Sequence, residues 1–324
     1  MMSLYLPISA LFAGMIGLIW GADKFIAGSA SLARSAGISS LVVGLTVVSI
    51  GTSAPEIIVS VNAALQGSGE LAVGNALGSN IANIGLVLGI TLLIAPIPIQ
   101  RTLLKQEGII LFAVTGLAGI CLYNGILGRI ESILLMLLVI PLLILAAKYK
   151  KSLAESSESQ ITQSFSRKGA LISFAIGLIV LLACAELTVW GAKSIALSMG
   201  ISELVIGLTV IAIGTSLPEL AASVMSALRG HHDIAVGNII GSNLFNLLLV
   251  MGAAGAISPI ALDSQVFSRD YMAMAALTLL MLIFMAAVLR NKVDRAQLPK
   301  AVGLVLLLAY CLYYVLLWCS TTGY

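Results

Sequence analysis

The chain has 324 residues, of which 60% are hydrophobic and only 10% charged, with a mean hydropathy of +1.09 and a net charge of +3. Soluble domains carry about 25% charged residues, so this composition excludes a soluble globular protein and describes an integral membrane protein. The small net charge offers no broad basic footprint, and no nucleic-acid partner is expected; the bilayer is the expected surroundings.

A helical span needs about 20 apolar residues. In chain order, ten such segments are predicted at 5–23, 40–65, 71–95, 107–124, 130–147, 170–190, 203–228, 234–257, 271–289 and 301–319. They are apolar on all sides and lack the alternation of a membrane β-barrel. The first begins after MMSLYLPIS, which has no basic stretch of a cleavable leader, and is read as a retained span. With ten helices, fourteen Lys and Arg residues fall on the side of the odd-to-even connections and three (Arg129, Lys193, Arg269) on the other. The positive-inside rule then places both termini outside the cytoplasm of a multi-pass inner (plasma) membrane protein. Cys121, Cys184, Cys311 and Cys319 have no metal-ligand spacing and read as small buried hydrophobes.

One phrase occurs twice. LVVGLTVVSIGTSAPE (41–56) and LVIGLTVIAIGTSLPE (204–219) match at 12 of 16 positions, and LAVGNALGSNIANIGL (71–86) and IAVGNIIGSNLFNLLL (234–249) at 9 of 16. The offset is 163 throughout, relating Glu56 to Glu219, Ser79 to Ser242 and Asn83 to Asn246. The expected fold is therefore all-α, with ten transmembrane helices in two five-helix repeats, residues 1–151 and 167–324, joined by a Ser-rich cytoplasmic linker at 152–166. Five is odd, so the second repeat enters from the opposite side and the topology is inverted, as in many secondary transporters.

Each repeat places Pro and Glu inside an apolar stretch. A carboxylate at membrane depth is expensive and marks function. Pro55 and Pro218 lack an N–H and clash with the carbonyl four residues back, which frees Gly51 and Gly214 and predicts helix breaks at 49–53 and 212–216. The loosened carbonyls lie beside the hydroxyls of Thr52, Ser53, Thr215 and Ser216. Ser79 and Asn83 share a helix face, as do Ser242 and Asn246. The runs GNALG and GNIIG permit close helix approach. These groups make an all-oxygen donor set without imidazole or thiolate, suited to Ca²⁺, Na⁺ or, less well, Mg²⁺ rather than Zn²⁺ or Cu²⁺. Two ionised glutamates are neutralised by one Ca²⁺, two Na⁺ or two protons. An empty, doubly charged site resists crossing a low-dielectric barrier, which favours obligatory exchange.

At these residues the chain resembles the sodium/calcium exchanger branch of the calcium/cation antiporter superfamily, and is most similar to short bacterial YrbG-type members. GTSAPE with GSNIAN looks like the first α-repeat and GTSLPE with GSNLFN like the second. The resemblance implies a secondary antiporter, not an enzyme, which exchanges Ca²⁺ for Na⁺ by alternating access, with Ca²⁺/H⁺ exchange as the alternative. It implies Glu56 and Glu219 as central ligands, with carbonyls of Thr52 and Thr215 completing the Ca²⁺ shell. Ser53, Ser79, Ser216 and Ser242, with the carbonyls of Ser49 and Ala212, would form outer Na⁺ sites, and Asn83 and Asn246 would line the middle. Asn246 stands where potassium-dependent members carry Asp, so potassium cotransport is not expected. The family's first and sixth helices slide across the rest. No cofactor is expected beyond the transported ions, and a monomer is the expected functional unit.

Other polar residues have plainer readings. Asp23 and Glu186 occupy matched positions; they could gate ion access, but interfacial solvation with Lys24 is the simpler expectation. His231 and His232 read as a solvated turn. Trp20, Trp190 and Trp318 read as anchors near helix ends, and Glu70, Glu107, Glu131 and Glu203 as interfacial. Two other function classes are weighed. An intramembrane hydrolase needs acids set to activate water, whereas these acids lie among coordinating oxygens. A passive channel fits poorly with discontinuous helices and a charged site.

Overall fold

The computed structural model describes residues 4–148, 166–200, 210, 212–290 and 295–322. Its helices are α1 (Tyr5–Ser35), α2 (Ser40–Thr52), α3 (Ala54–Leu65), α4 (Gly69–Ile94), α5 (Arg101–Leu122), α6 (Arg129–Leu137), α7 (Val139–Lys148), α8 (Arg167–Ser198), α9 (Ala212–Thr215), α10 (Leu217–Leu228), α11 (His232–Ile257), α12 (Val266–Val288) and α13 (Lys300–Thr322). Four short strands, β1 (Ile97–Gln100), β2 (Ile126–Leu127), β3 (Ile260–Ala261) and β4 (Arg295–Leu298), were not foreseen from the sequence.

Seven described helices are long and apolar enough to cross a membrane (α1, α4, α5, α8, α11, α12, α13), and α2 with α3 forms an eighth candidate bent by 46°. The expected span at 130–147 is instead two shorter helices meeting at Leu138. Pro141 explains this, because it cannot bond the carbonyl of Leu137 and its ring crowds that turn. In the expected span at 203–228, residues 203–209 and 211 lie outside the described residues and α10 supplies the rest. The linker at 152–165 also lies outside them.

Element bounds repeat at the sequence offset. Ala54–Leu65 recurs as Leu217–Leu228 and Gly69–Ala82 as His232–Phe245, each 163 residues on. Even the π-helical turns repeat: Asn83–Leu88 has its counterpart in Asn246–Val250. Such turns insert one extra residue per turn and concentrate at functional positions.

The chain divides into two compact units, neither of which is a sequence half. Residues 1–55 and 145–238 form one, and residues 56–144 and 239–324 the other. In the first unit, α1 and α8 pack along their length. The predicted first span, 5–23, is too short: α1 continues unbroken to Ser35. Asp23 does not end it, because its carboxylate is paired with Arg229, Nε to Oδ1 at 2.6 Å. Asp23 is thus an ion-pair partner rather than a solvated neighbour of Lys24. Trp20 and Trp190 consequently lie well inside α1 and α8, half exposed on their outer surface, rather than at helix ends.

Glycines carry the α1–α8 contact. A Cβ on Gly21 would come 2.7 Å from Leu181 N, one on Gly28 2.8 Å from Ala170 O, and one on Gly191 2.7 Å from Pro7 O. Gly14, Gly21 and Gly28 are spaced by seven, so they line one helix face. Small residues there let two backbones approach, which is how membrane helices associate without a hydrophobic driving force.

In the second unit, the C-terminal part of α11 (Met251–Ile257) packs on α6, and α13 packs on α4, where Gly85 and Gly89 receive Tyr310 and Leu307. Two antiparallel ladders close the chain between helices. β1 pairs with β4 (Ile97 opposite Leu298, Gln100 opposite Arg295) and β2 with β3 (Ile126 opposite Ala261). Asp270 is held by Arg269, Nε to Oδ1 at 2.7 Å, and by the Tyr313 hydroxyl at 3.1 Å, which ties α12 to α13. Glu107, expected at the interface, is 9% exposed within α5 and is a buried residue.

Candidate functional site

The two signature helices break at matched residues. Ser53 (φ −83°, ψ 7°) ends Ser49–Thr52, and Ser216 (φ −89°, ψ 3°) stands between Ala212–Thr215 and Leu217–Leu228. Both adopt the sparsely populated bridge conformation. The breaks are narrower than the expected 49–53 and 212–216, since the turns before them stay helical. Proline follows two residues later in each copy, which is where a missing N–H interrupts the ladder.

In the first unit, Glu219 is 1% exposed on the first turn of α10. Ser53 Oγ donates to its Oε1 at 2.9 Å, while Oε2 meets no donor among the described residues. Thr52 Oγ1 lies 3.2 Å from Asn238 Oδ1 and 3.3 Å from Ser49 O. Ser49 O also accepts from Ser53 N at 2.9 Å. The Ser49 hydroxyl is 2.6 Å from Gly44 O and 3.1 Å from Asn238 O. The Ser216 hydroxyl is buried without a partner among the described residues. Thr215 is half-buried, and the Ala212 backbone opens the short helix α9.

In the second unit, Glu56 is fully buried on the first turn of α3, as are Ser79, Asn83, Ser242 and Asn246 on α4 and α11, at 0–3% exposure. Both amide atoms of Asn83, both of Asn246, and the Ser242 hydroxyl have no hydrogen-bond partner among the described residues. Asn80 Nδ2 donates to Asn243 O at 3.2 Å, which joins α4 to α11 one turn before the two orphan amides. Buried polar groups are nearly always satisfied, and each exception costs about 1–3 kcal/mol. A run of orphan oxygens and amides, with Asn83 and Asn246 at matched positions, therefore calls for a reason.

The structure adds residues that sequence reasoning missed. Asn75 Nδ2 donates to the Glu56 carbonyl at 3.2 Å and lies 3.0 Å from Ser60 Oγ. At the same offset, Asn238 Nδ2 donates to the Glu219 carbonyl at 3.5 Å and lies 3.0 Å from Ser223 Oγ. Each amide braces the backbone of the glutamate nineteen residues before it and so fixes where the carboxylate begins. The signal was present in GNALG and GNIIG, where the asparagines are the polar members of an otherwise small and apolar run. Among the described residues no three His, Cys, Asp or Glu side chains cluster as a metal site. Any cation held here is held mainly by hydroxyls, amides and carbonyls beside single carboxylates, which is hard-cation chemistry.

A family model described as "Sodium/calcium exchanger protein" matches residues 6–148 and 169–319. The chain belongs to the sodium/calcium exchanger family. It is 41% identical to the "Putative antiporter CaxA" of Alkalimonas amylolytica over 96% of this chain and 98% of that one. It is 40% identical to "Inner membrane protein YrbG" of Escherichia coli K12 over 85% and 87%. A solved structure of the sodium-calcium exchanger NCX_Mj, soaked with 2.5 mM Na⁺ and 0.1 mM Sr²⁺, superposes with a TM-score of 0.82 at 32% identity, covering 95% of this chain and 98% of that one. This member of the family is therefore a multi-pass membrane antiporter and not an enzyme, with a helical fold like that of NCX_Mj.

Proposed function

We propose that this exchanger moves one Ca²⁺ against Na⁺ by alternating access, and that Glu56 and Glu219 carry the transported ions. The observation that supports this most is the set of buried, unsatisfied oxygens and amides around the signatures: Glu219 Oε2, Ser216, Ser242, Asn83 and Asn246. An intramembrane hydrolase would use its acids to pass protons; these residues instead offer lone pairs, two of them from the matched Asn83 and Asn246. Hydrated ions shed water into oxygen-lined sites of this kind, and Ca²⁺ accepts about 6–8 oxygens in flexible geometry.

Within this reading the glutamates are the central ligands. Ser53, Ser79, Ser216, Ser242 and the carbonyls of Ser49, Thr52, Ala212 and Thr215 supply the remaining oxygens, and Asn83 and Asn246 line the site. The chain works as ten spans in two inverted repeats (1–151 and 167–324), with both termini outside the cytoplasm and a single chain as the working unit. The repeated element bounds and the repeated asparagine braces support that plan. The close glycine contact between α1 and α8 suits a helix pair that moves as one body.

Charge decides what can cross. Two ionised glutamates balanced by one Ca²⁺ or two Na⁺ give an electroneutral site, and a third Na⁺ makes the cycle electrogenic, at about 2.3 kcal/mol per net charge per 100 mV. Purified protein in liposomes, with pH clamped by buffer and protonophore, should take up ⁴⁵Ca²⁺ down an outward-directed Na⁺ gradient. Uptake that follows only an imposed pH gradient would replace Na⁺ by H⁺ in this scheme.

A further inference from the structure

We infer that the groove between the start of α5 and the end of α12 binds the phosphate-bearing headgroup of an anionic phospholipid. The groove is open and has a volume of about 490 Å³. It is lined by Arg101, Lys105 and Arg290 at the rim, with Leu104, Ile283 and Ala286 among its apolar lining. All of these residues belong to the second compact unit.

Its depth in the membrane follows from the helices. Arg101 is the first residue of the candidate span Arg101–Leu122, and Arg290 lies two residues past the end of the candidate span Val266–Val288. Two antiparallel spans thus place these cations at one level, where hydrocarbon gives way to headgroups. From that rim the exposed side chains of Ile283 and Ala286 continue down α12 into the apolar layer.

Among the described residues the rim is unneutralised. Among the described residues the salt bridges are Arg229 with Asp23 and Arg269 with Asp270, so no carboxylate pairs with Arg101, Lys105 or Arg290. Arg101 is fixed by donating through Nη2 to Leu289 O. One face of its guanidinium fork is therefore spent on positioning, and the remaining N–H groups stay available to an acceptor. Lys105 and Arg290 are exposed. A planar guanidinium pair with an ammonium is the donor set that recognises phosphate oxygens.

A free inorganic phosphate would use the rim but have no use for the apolar wall below it. A ligand with a phosphodiester above and an acyl chain below uses both, so the groove commits to a lipid. Basic pockets between membrane helices bind anionic headgroups by this combination.

The test uses the full chain, purified in mild detergent and examined by native mass spectrometry during titration with phosphatidylglycerol or phosphatidylcholine. The wild-type protein should retain phosphatidylglycerol preferentially. Lys105→Gln with Arg290→Gln, both exposed and clear of the ion signatures, should weaken that retention by roughly twenty-five-fold, at about five-fold per basic group near a membrane surface, and leave phosphatidylcholine unchanged. Ala286→Trp keeps all three charges but fills the groove, and should also lower phosphatidylglycerol retention. Millimolar inorganic phosphate should compete only weakly. Equal retention by wild type and the double variant would overturn the proposal. So would a loss caused by the charge changes but not by Ala286→Trp, because that pattern means diffuse attraction to a basic surface. Strong displacement by phosphate alone would show an inorganic anion site instead.

Discussion

Helices α1 and α8 leave most of their apolar surface bare, whereas the helices with the Gly-Ser-Asn signatures are enclosed. In the best apolar window, 28% of α1 and 22% of α8 is buried, against 72% of α4 and 94% of α11. The two kinds are also joined differently. The long pair meets through glycines, with backbone near backbone and few polar ties. The enclosed helices are pinned by directed bonds such as Asn80 to Asn243 and Asn75 to Ser60. Close backbone contact suits a pair that would shift as one body, while hydrogen bonds in a low-dielectric interior fix geometry. The contrast separates a part suited to motion from a part suited to holding ligands in place.

The sharpest way to break this contrast is to remove the charges of the two glutamates that the enclosed helices brace. Glu56→Gln and Glu219→Gln should each lower Ca²⁺ flux by roughly a hundredfold or more, since leaving a buried charge without its partner costs about 3–5 kcal/mol. Each variant should elute as the folded protein in size-exclusion chromatography. Wild-type ⁴⁵Ca²⁺ flux in either would refute the assignment. Next in size is the glycine-joined pair. Gly21→Leu puts side-chain atoms where the Leu181 backbone already stands, so it should cut flux more than tenfold while Ca²⁺ affinity, read by isothermal titration, changes less than threefold. Lost affinity with retained flux would contradict a purely mechanical role.

Smaller effects sharpen the picture. Asn75→Ala and Asn238→Ala each remove a brace, and Asn238→Ala also takes away the bond to the buried Ser223 hydroxyl, at about 1–3 kcal/mol; thermal melting should fall by several degrees, with weaker Ca²⁺ binding. An unchanged affinity would mean the braces only stabilise the fold. Asp23→Asn should matter least to stability, because its pair with Arg229 is partly exposed and such pairs are worth about 0–1 kcal/mol.

His231 lies outside the spans. Its pKa is pushed down to about 4, first by burial and then by the positive charges of Arg229 and Arg34 and by His232. The folded protein therefore binds this proton less readily than the unfolded chain. Stability should rise with pH between about 4 and 6.5 and flatten above it. His231→Gln should remove that slope in a pH series of melting curves. The expectation of a solvated turn is corrected accordingly: His231 is partly buried and neutral at physiological pH.

Much of the architecture was legible because composition and repetition are strong signals in a membrane. Eight candidate spans fall where apolar runs predicted them, and the 163-residue offset reappears in the bounds of α3 and α10. The failures have local causes. Hydropathy ended the first span at Asp23, since it cannot see that Arg229, distant in sequence, neutralises that carboxylate. It merged α6 and α7 because Pro141 is surrounded by leucines. Glu107 was placed at the surface because a buried acid looks no different in one dimension. Of the candidate ion ligands, the residue types and their pairing were visible. The braces show only as the polar members of GNALG and GNIIG, because an asparagine that binds a backbone carbonyl nineteen residues away leaves no periodic trace.

The lengths of α1 and α8 have a further consequence. At 31 and 32 residues and about 1.5 Å per residue, each is roughly 46–48 Å long, well beyond the ~30 Å hydrocarbon layer. Such helices must lean, project into the headgroups, or thicken the surrounding lipid. Acyl-chain length thereby becomes a variable that this exchanger can feel: thin and thick bilayers would favour different inclinations of the same glycine-joined pair.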